Sequence, residues 1–255
     1  MKIIKSLYLI INYKTFIVTS LAVVSTWLCQ RYHIIADFPL TLVAIAIVFP
    51  VVFSIDSAYK RRERALGLLG DFKAHVVALY HASRDWVDHP DYQKDVKGQL
   101  LEIYRSIRNL FVGEGGTAHD AEQAIYANIS RMSQLAQQFR SHGLQVGEVS
   151  RVSQYISKMM VAMENLKVIL HYRTPITLRA YSKVFIYSFP IIYGPYFVSV
   201  SEHYSPGLEY VMPIIFSFIL VSLDNIQGHL EDPFDQIGED DIKFDVEDLD
   251  RLMDA

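Results

Sequence analysis

Hydrophobic and polar positions alternate in long blocks along this chain. Residues 38–55, FPLTLVAIAIVFPVVFSI, carry no charge, and the sequence then turns basic at Lys60, Arg61, Arg62 and Arg64. About 20 apolar residues cross a hydrocarbon core of about 30 Å, so a run of this length predicts a membrane-spanning helix. The basic flank marks its cytoplasmic end. Three more apolar stretches predict three more spans: residues 16 to about 35, 184–200 and 208–223. Pro190 and Pro195 lie inside the third. Proline is tolerated in a membrane helix when neighbours bond the carbonyls it frees.

Between the second and third spans the pattern becomes amphipathic. Leu66, Leu68, Leu69, Phe72, Val76, Val77, Leu79 and Tyr80 recur with helical period, and Asp88-His89-Pro90 breaks that helix. Val96, Leu100, Ile103, Ile107 and Leu110 form the stripe of a second helix over residues 92–111. Gly113 to Gly116 is a turn, after which Thr117 or Asp120 caps a third helix reaching about Phe139. Ser141-His142-Gly143 ends it, and a fourth runs over residues 146–170. No stretch reads as a strand and no internal repeat is evident. The chain therefore divides into residues 1–57 with two spans, a cytosolic helical bundle over 58–175, two further spans in 176–226, and a tail over 227–255.

Charge orients this arrangement. Lys2, Lys5 and Lys14 precede the first span, and the loop 201–209 has neither Lys nor Arg. Both termini and the bundle are expected inside, with that loop outside. Trp27 to Arg31 makes a poor signal-peptidase site, so the first span is expected to be retained. The net charge of −4 hides an asymmetry. Residues 231–255 hold 11 of the 28 acidic residues and only Lys243 and Arg251 as basic ones. A hydrophobic fraction of 51% beside 20% charged residues suits a membrane protein with a large water-exposed part. The single cysteine, Cys29, cannot form an intrachain disulfide.

Within the second span, Ile45, Phe49 and Phe53 recur every four residues and share one helical face. Such a face either packs against a neighbour or, in an oligomer, lines a dewetted constriction. The helix then ends in Ala58-Tyr59-x-Arg61 followed by Glu63. That pattern resembles the second transmembrane helix of bestrophins, pentameric channels that are mostly chloride or anion selective. In that family the Arg follows three apolar neck residues, typically Ile and Phe, at fixed offsets. Counted back from Arg61, those offsets fall on Ile45, Phe49 and Phe53. Two departures are Arg62-Glu63, where the family has an aromatic pair, and Pro50 inside the run. Arg173-Thr174-Pro175-Ile176 followed by Tyr181 resembles the start of the family's third span. Glu231-Asp232-Pro233-Phe234 and Gly238-Glu239-Asp240-Asp241 resemble the segment after its fourth, with Asp235-Gln236-Ile237 between them. The resemblance covers the spans and the tail, about half the chain, and the middle matches in length and helicity.

The resemblance implies an all-α, four-span, homopentameric membrane protein with a cytosolic helical bundle, which passes ions through an axial pore. Its neck would be Ile45, Phe49 and Phe53. Lys60, Arg61, Arg62 and Arg64 are explained by topology alone, or, repeated five times round a cavity, would concentrate anions. Pro233 and Phe234 are an apolar anchor in an acidic run, expected to dock on the bundle. Asp240 and Asp241 are either solvated or, as in animal bestrophins, calcium ligands; several bacterial relatives lack that clasp. No cofactor other than this calcium is expected. No HExxH, phosphate loop or nucleophile–base set is found, so no enzyme activity is expected. The basic residues flank membrane spans, so nucleic acid is not an expected partner. The expected partners are inorganic ions, the lipid bilayer and further copies of the chain, in an inner membrane if the source is bacterial. The competing class is a non-conducting membrane scaffold or sensor whose bundle binds a partner. A secondary transporter would need more spans and an inverted repeat.

Overall fold

Asn12 opens the first helix: its side-chain oxygen accepts from the backbone N–H groups of Lys14 and Thr15 at 2.9 and 3.4 Å. The computed structural model describes residues 11–37, 39–87, 89–113, 116–173, 175–203, 205–236 and 241–254. Among these no strand occurs, and the helices are α1 (Tyr13–Arg31), α2 (Leu40–Asp85), α3 (Pro90–Val112), α4 (Ala118–Gln138), α5 (Val146–His171), α6 (Ile176–Ile192), α7 (Gly194–His203), α8 (Leu208–Glu231) and α9 (Val246–Asp254). They divide into two units, residues 1–62 with 173–232, and residues 63–172 with 233–255. The long helix α2 contributes its first part to one and its remainder to the other.

In the first unit α1 packs against α6, α7 and α8. The core is Val18, Ile47, Val51, Ile186, Phe189, Tyr193, Phe197, Leu220 and Val221. The third apolar stretch is not one straight helix. It breaks at Tyr193 into α6 and α7, bent by 47°. Proline is the physical reason: Pro195 has no N–H to give the carbonyl four residues back, that of Ile191. Ser25 of α1 supplies the missing donor, its hydroxyl lying 2.7 Å from that oxygen. Gly194 lets the two helices approach this closely, since an added Cβ would lie 2.8 Å from Ser25 Oγ.

Helix α8 runs eight residues past the apolar stretch that ends at Leu223. Its polar end is held by specific bonds. Tyr187 donates to Asp224 at 2.5 Å, and Asn12 Nδ2 donates to Asn225 Oδ1 at 2.8 Å. Among the described residues, α8 by itself is long and apolar enough to cross a membrane, and α6 with α7 passes the same test as one bent span. The 38–55 run forms the start of α2, apart from Phe38, which lies outside the described residues, and Pro39.

The second unit is a helical bundle. His89 caps α3, with Pro90 in the first turn where a missing N–H costs nothing. Thr117, not Asp120, is the N-cap of α4: its hydroxyl accepts from the Asp120 N–H at 3.2 Å, and the Asp120 carboxylate answers to Thr117 N–H, a capping box. The core includes Phe72, Leu100, Ile103, Tyr104, Ile107, Ile125, Met132, Phe139, Met163 and Leu166. Residues 233–254 do not form a unit of their own. Phe234, Ile242, Phe244, Leu249 and Met253 belong to this same core, and α9 packs against α3.

Candidate ion-pathway face

Helix α2 carries two opposite stripes through residues 45–62. Ile47, Val51, Ser54 and Ala58 are buried. Ile45, Phe49 and Phe53 are 47%, 57% and 60% exposed, and the Phe49 and Phe53 rings stack at 6.1 Å. At about 100° per residue the two stripes lie roughly 180° apart. The apolar trio therefore does not pack inside its own chain. Val48 and Val52 extend the exposed apolar surface.

The basic residues downstream do not act as one group. Lys60 is exposed and donates to Asp56 at 2.7 Å. Arg61 turns toward the packed side, and Arg62 is half-buried. Burial lowers the Arg61 pKa from the usual guanidinium value; the Glu231 charge opposes this, Arg173 adds to it and Asp232 opposes it. Around it, Arg179 pairs with Glu231 at 2.8 Å and Arg173 with Asp232 at 2.7 Å. Arg64 belongs to the second unit and is exposed.

In the second unit Pro233 is buried and Phe234 is 1% exposed. Phe111 faces the Phe234 and Phe244 rings at 4.7 and 5.2 Å. The Ile242 N–H donates to the Pro233 carbonyl at 2.8 Å. Beyond it, Lys73 bonds Asp248 at 2.9 Å, and Lys97 bonds Asp250 and Asp254 at 2.8 and 2.7 Å. Beneath them lies Tyr104, fully buried, its ring 5.8 Å from Lys73 Nζ. Burial pushes the Tyr104 pKa up, and the charges of Asp248 and Asp245 push the same way.

Asp240 lies outside the described residues, and Asp241 is half-buried. Among the described residues, no three His, Cys, Asp or Glu side chains gather as metal ligands. Several residues that matter here were invisible to pattern reading. Lys73 and Lys97 are ordinary helix charges until α9 folds over them. Lys167 is a nearly buried lysine bonded to Glu122 and Tyr126. Burial would lower its pKa, but those bonds outweigh it and raise it. The i,i+4 spacing of Asp56 and Lys60 is the sequence signal for their pairing.

No protein-family model matches the chain, and no curated protein matches it in sequence. Solved structures do. A bacterial bestrophin homologue from Klebsiella pneumoniae superposes with a TM-score of 0.81 over 94% of this chain and 96% of that chain, at 13% identity. A single-substitution variant of that homologue gives 0.82 over 94% and 95%, at 16% identity. A structure described as a membrane protein variant gives 0.81 over 94% and 96%, at 14% identity. The chain thus has an all-helical, bestrophin-like fold.

Proposed function

We propose that the chain is one subunit of a passive, anion-conducting ion channel. It spans the membrane four times, with both termini and the bundle in the cytoplasm, and it assembles as a homopentamer with α2 innermost. The observation that carries this reading is the stripe of Ile45, Phe49 and Phe53, exposed opposite the packed side of α2 in a chain with a bestrophin-like fold. Large apolar side chains exposed on a helix need a cover of lipid or protein. Five copies around an axis turn the stripe into a narrow apolar neck, which gates by dewetting. Conduction then needs no bond chemistry. Phe234, Ile242, Phe244 and α9 tie the bundle together and hold the cytosolic mouth in shape.

Two measurements test this together. The mass of the detergent-purified complex should correspond to five chains, and the same preparation in a planar bilayer should pass current in KCl. A monomeric or dimeric complex that passes none supports the scaffold alternative instead.

A further inference from the structure

The exposed face of α2 does not end at Phe53. At about 100° per residue, Asp56 and Lys60 point within roughly 20° of the direction of Phe49. They lie opposite buried Ile47, Val51, Ser54 and Ala58. Asp56 follows Phe53 by about one turn, near 4.5 Å along the axis, and Lys60 by about 10 Å. The pair is closed, Lys60 Nζ to Asp56 Oδ2 at 2.7 Å, with side-chain exposures of 72% and 47%. The acid precedes the base at i,i+4, the favourable order on a helix. Exposed pairs of this kind contribute little to folding.

Arg61 and Arg62 point away from this face, by about 120° and 140° from Phe49. Arg61 lies in the field of Glu231 and Asp232. Of Lys60, Arg61 and Arg62, Lys60 shares the face of the apolar trio.

We infer that Asp56 and Lys60 set the charge selectivity of the pathway. This rests on the reading above that α2 lines it. The neck itself carries no charge with which to choose between cation and anion. An ion leaving it toward the cytosol first meets the Asp56 carboxylates, one from each subunit, which attract cations. One turn further it meets the Lys60 ammonium groups, which attract anions. Because each carboxylate is paired with an ammonium, the two rings offset each other, and the anion preference is the small difference that remains. Removing either partner unmasks the other. Both side chains are exposed, so the neutral variants Asp56→Asn and Lys60→Gln are expected to fold as the parent does.

The test is the reversal potential of purified protein in a planar bilayer under a KCl gradient, for the parent, Asp56→Asn, Lys60→Gln and the double variant. The chloride-to-potassium permeability ratio should rise about threefold or more in Asp56→Asn and fall by a similar factor in Lys60→Gln. The double variant should return toward the parent. Single variants that pass current with the parent's ratio overturn the inference and leave the channel reading intact. A parent pentamer that passes no current in KCl overturns the channel reading, and the inference with it.

Discussion

The hydroxyl of Ser25 donates to the backbone carbonyl of Ile191 at 2.7 Å, the oxygen that Pro195 leaves without its helical partner. One side chain on α1 thus stabilises the bend between α6 and α7. Ser25→Ala should leave that carbonyl unpaired and cost about 1 kcal/mol, read as a lower melting temperature in detergent. Ser25→Thr keeps the hydroxyl and should melt close to the parent. Equal melting of all three would mean that the bend does not need this donor.

Gly194 makes a second demand on the same contact. A methyl group there would lie 2.8 Å from Ser25 Oγ and 3.1 Å from Cys29 Sγ. Gly194→Ala should therefore push α1 and α7 apart and destabilise by about 1–3 kcal/mol. A melting temperature equal to the parent's would show that the helices part without cost.

Glu231 is buried, 5% exposed at its side chain, and Arg179 is its 2.8 Å partner. Arg179→Ala strands a buried carboxylate and should cost about 3–5 kcal/mol. Arg179→Met with Glu231→Gln removes both charges and should recover most of that loss. A double variant no better than Arg179→Ala would show that the pair does not act as a unit.

Much of this fold was legible because period and charge agree locally. The α3 stripe from Val96 to Leu110, the break before Pro90, the choice of Thr117 or Asp120 as the next cap, and the apolar runs each follow from local sequence. What failed to show was long-range. Pro233 and Phe234 read as an anchor in the acidic tail, but α9 is apolar only at Val246, Leu249, Leu252 and Met253, too few to signal a docked helix. Its partners, Lys73 and Lys97, lie over 150 residues away. The spacing predicts one span over 184–200; the α6–α7 break is supported by Ser25 in another helix, which the prolines alone do not show. At the pathway face, the period placed Ile45, Phe49 and Phe53 on one side of α2. It could not say whether their own chain covers that side, because coverage depends on where α1, α6 and α8 pack.

Acid should loosen α9. A hydrogen bond from Lys73, with its charge, holds the Asp248 pKa below the usual 3.8. A depressed folded pKa stabilises above the unfolded value, and that contribution is lost as pH falls through the folded one. Lys97 works at the other end. Burial would lower its pKa, but Asp250 and Asp254 raise it above 10.5, so its contribution is lost only as pH rises beyond that. Protection of the Leu249 amide, corrected for intrinsic exchange, should stay level through neutral pH and fall below about pH 4. Protection that instead rises on acidification would contradict the Lys73–Asp248 contact.

Phe234 should be the most sensitive point of the tail. It is 1% exposed and meets Phe111 at 4.7 Å. Phe234→Ala should cost about 3–5 kcal/mol and open residues 242–254 to protease. A variant with the parent's stability and cleavage pattern would make the tail a solvated appendage.

Whether Ile45, Phe49 and Phe53 form the neck is decided by one measurement. The triple substitution to Ala is reconstituted in liposomes and assayed for halide and Na⁺ flux, with the oligomer checked in parallel. If the three residues ring a constriction, truncation widens it, water persists there and flux rises. If they pack against another helix, truncation opens cavities costing roughly 2–5 kcal/mol apiece, and flux falls as the assembly weakens. A neck formed by these residues predicts an intact pentamer with raised flux. An intact pentamer whose flux of both ions is unchanged or lower would contradict it.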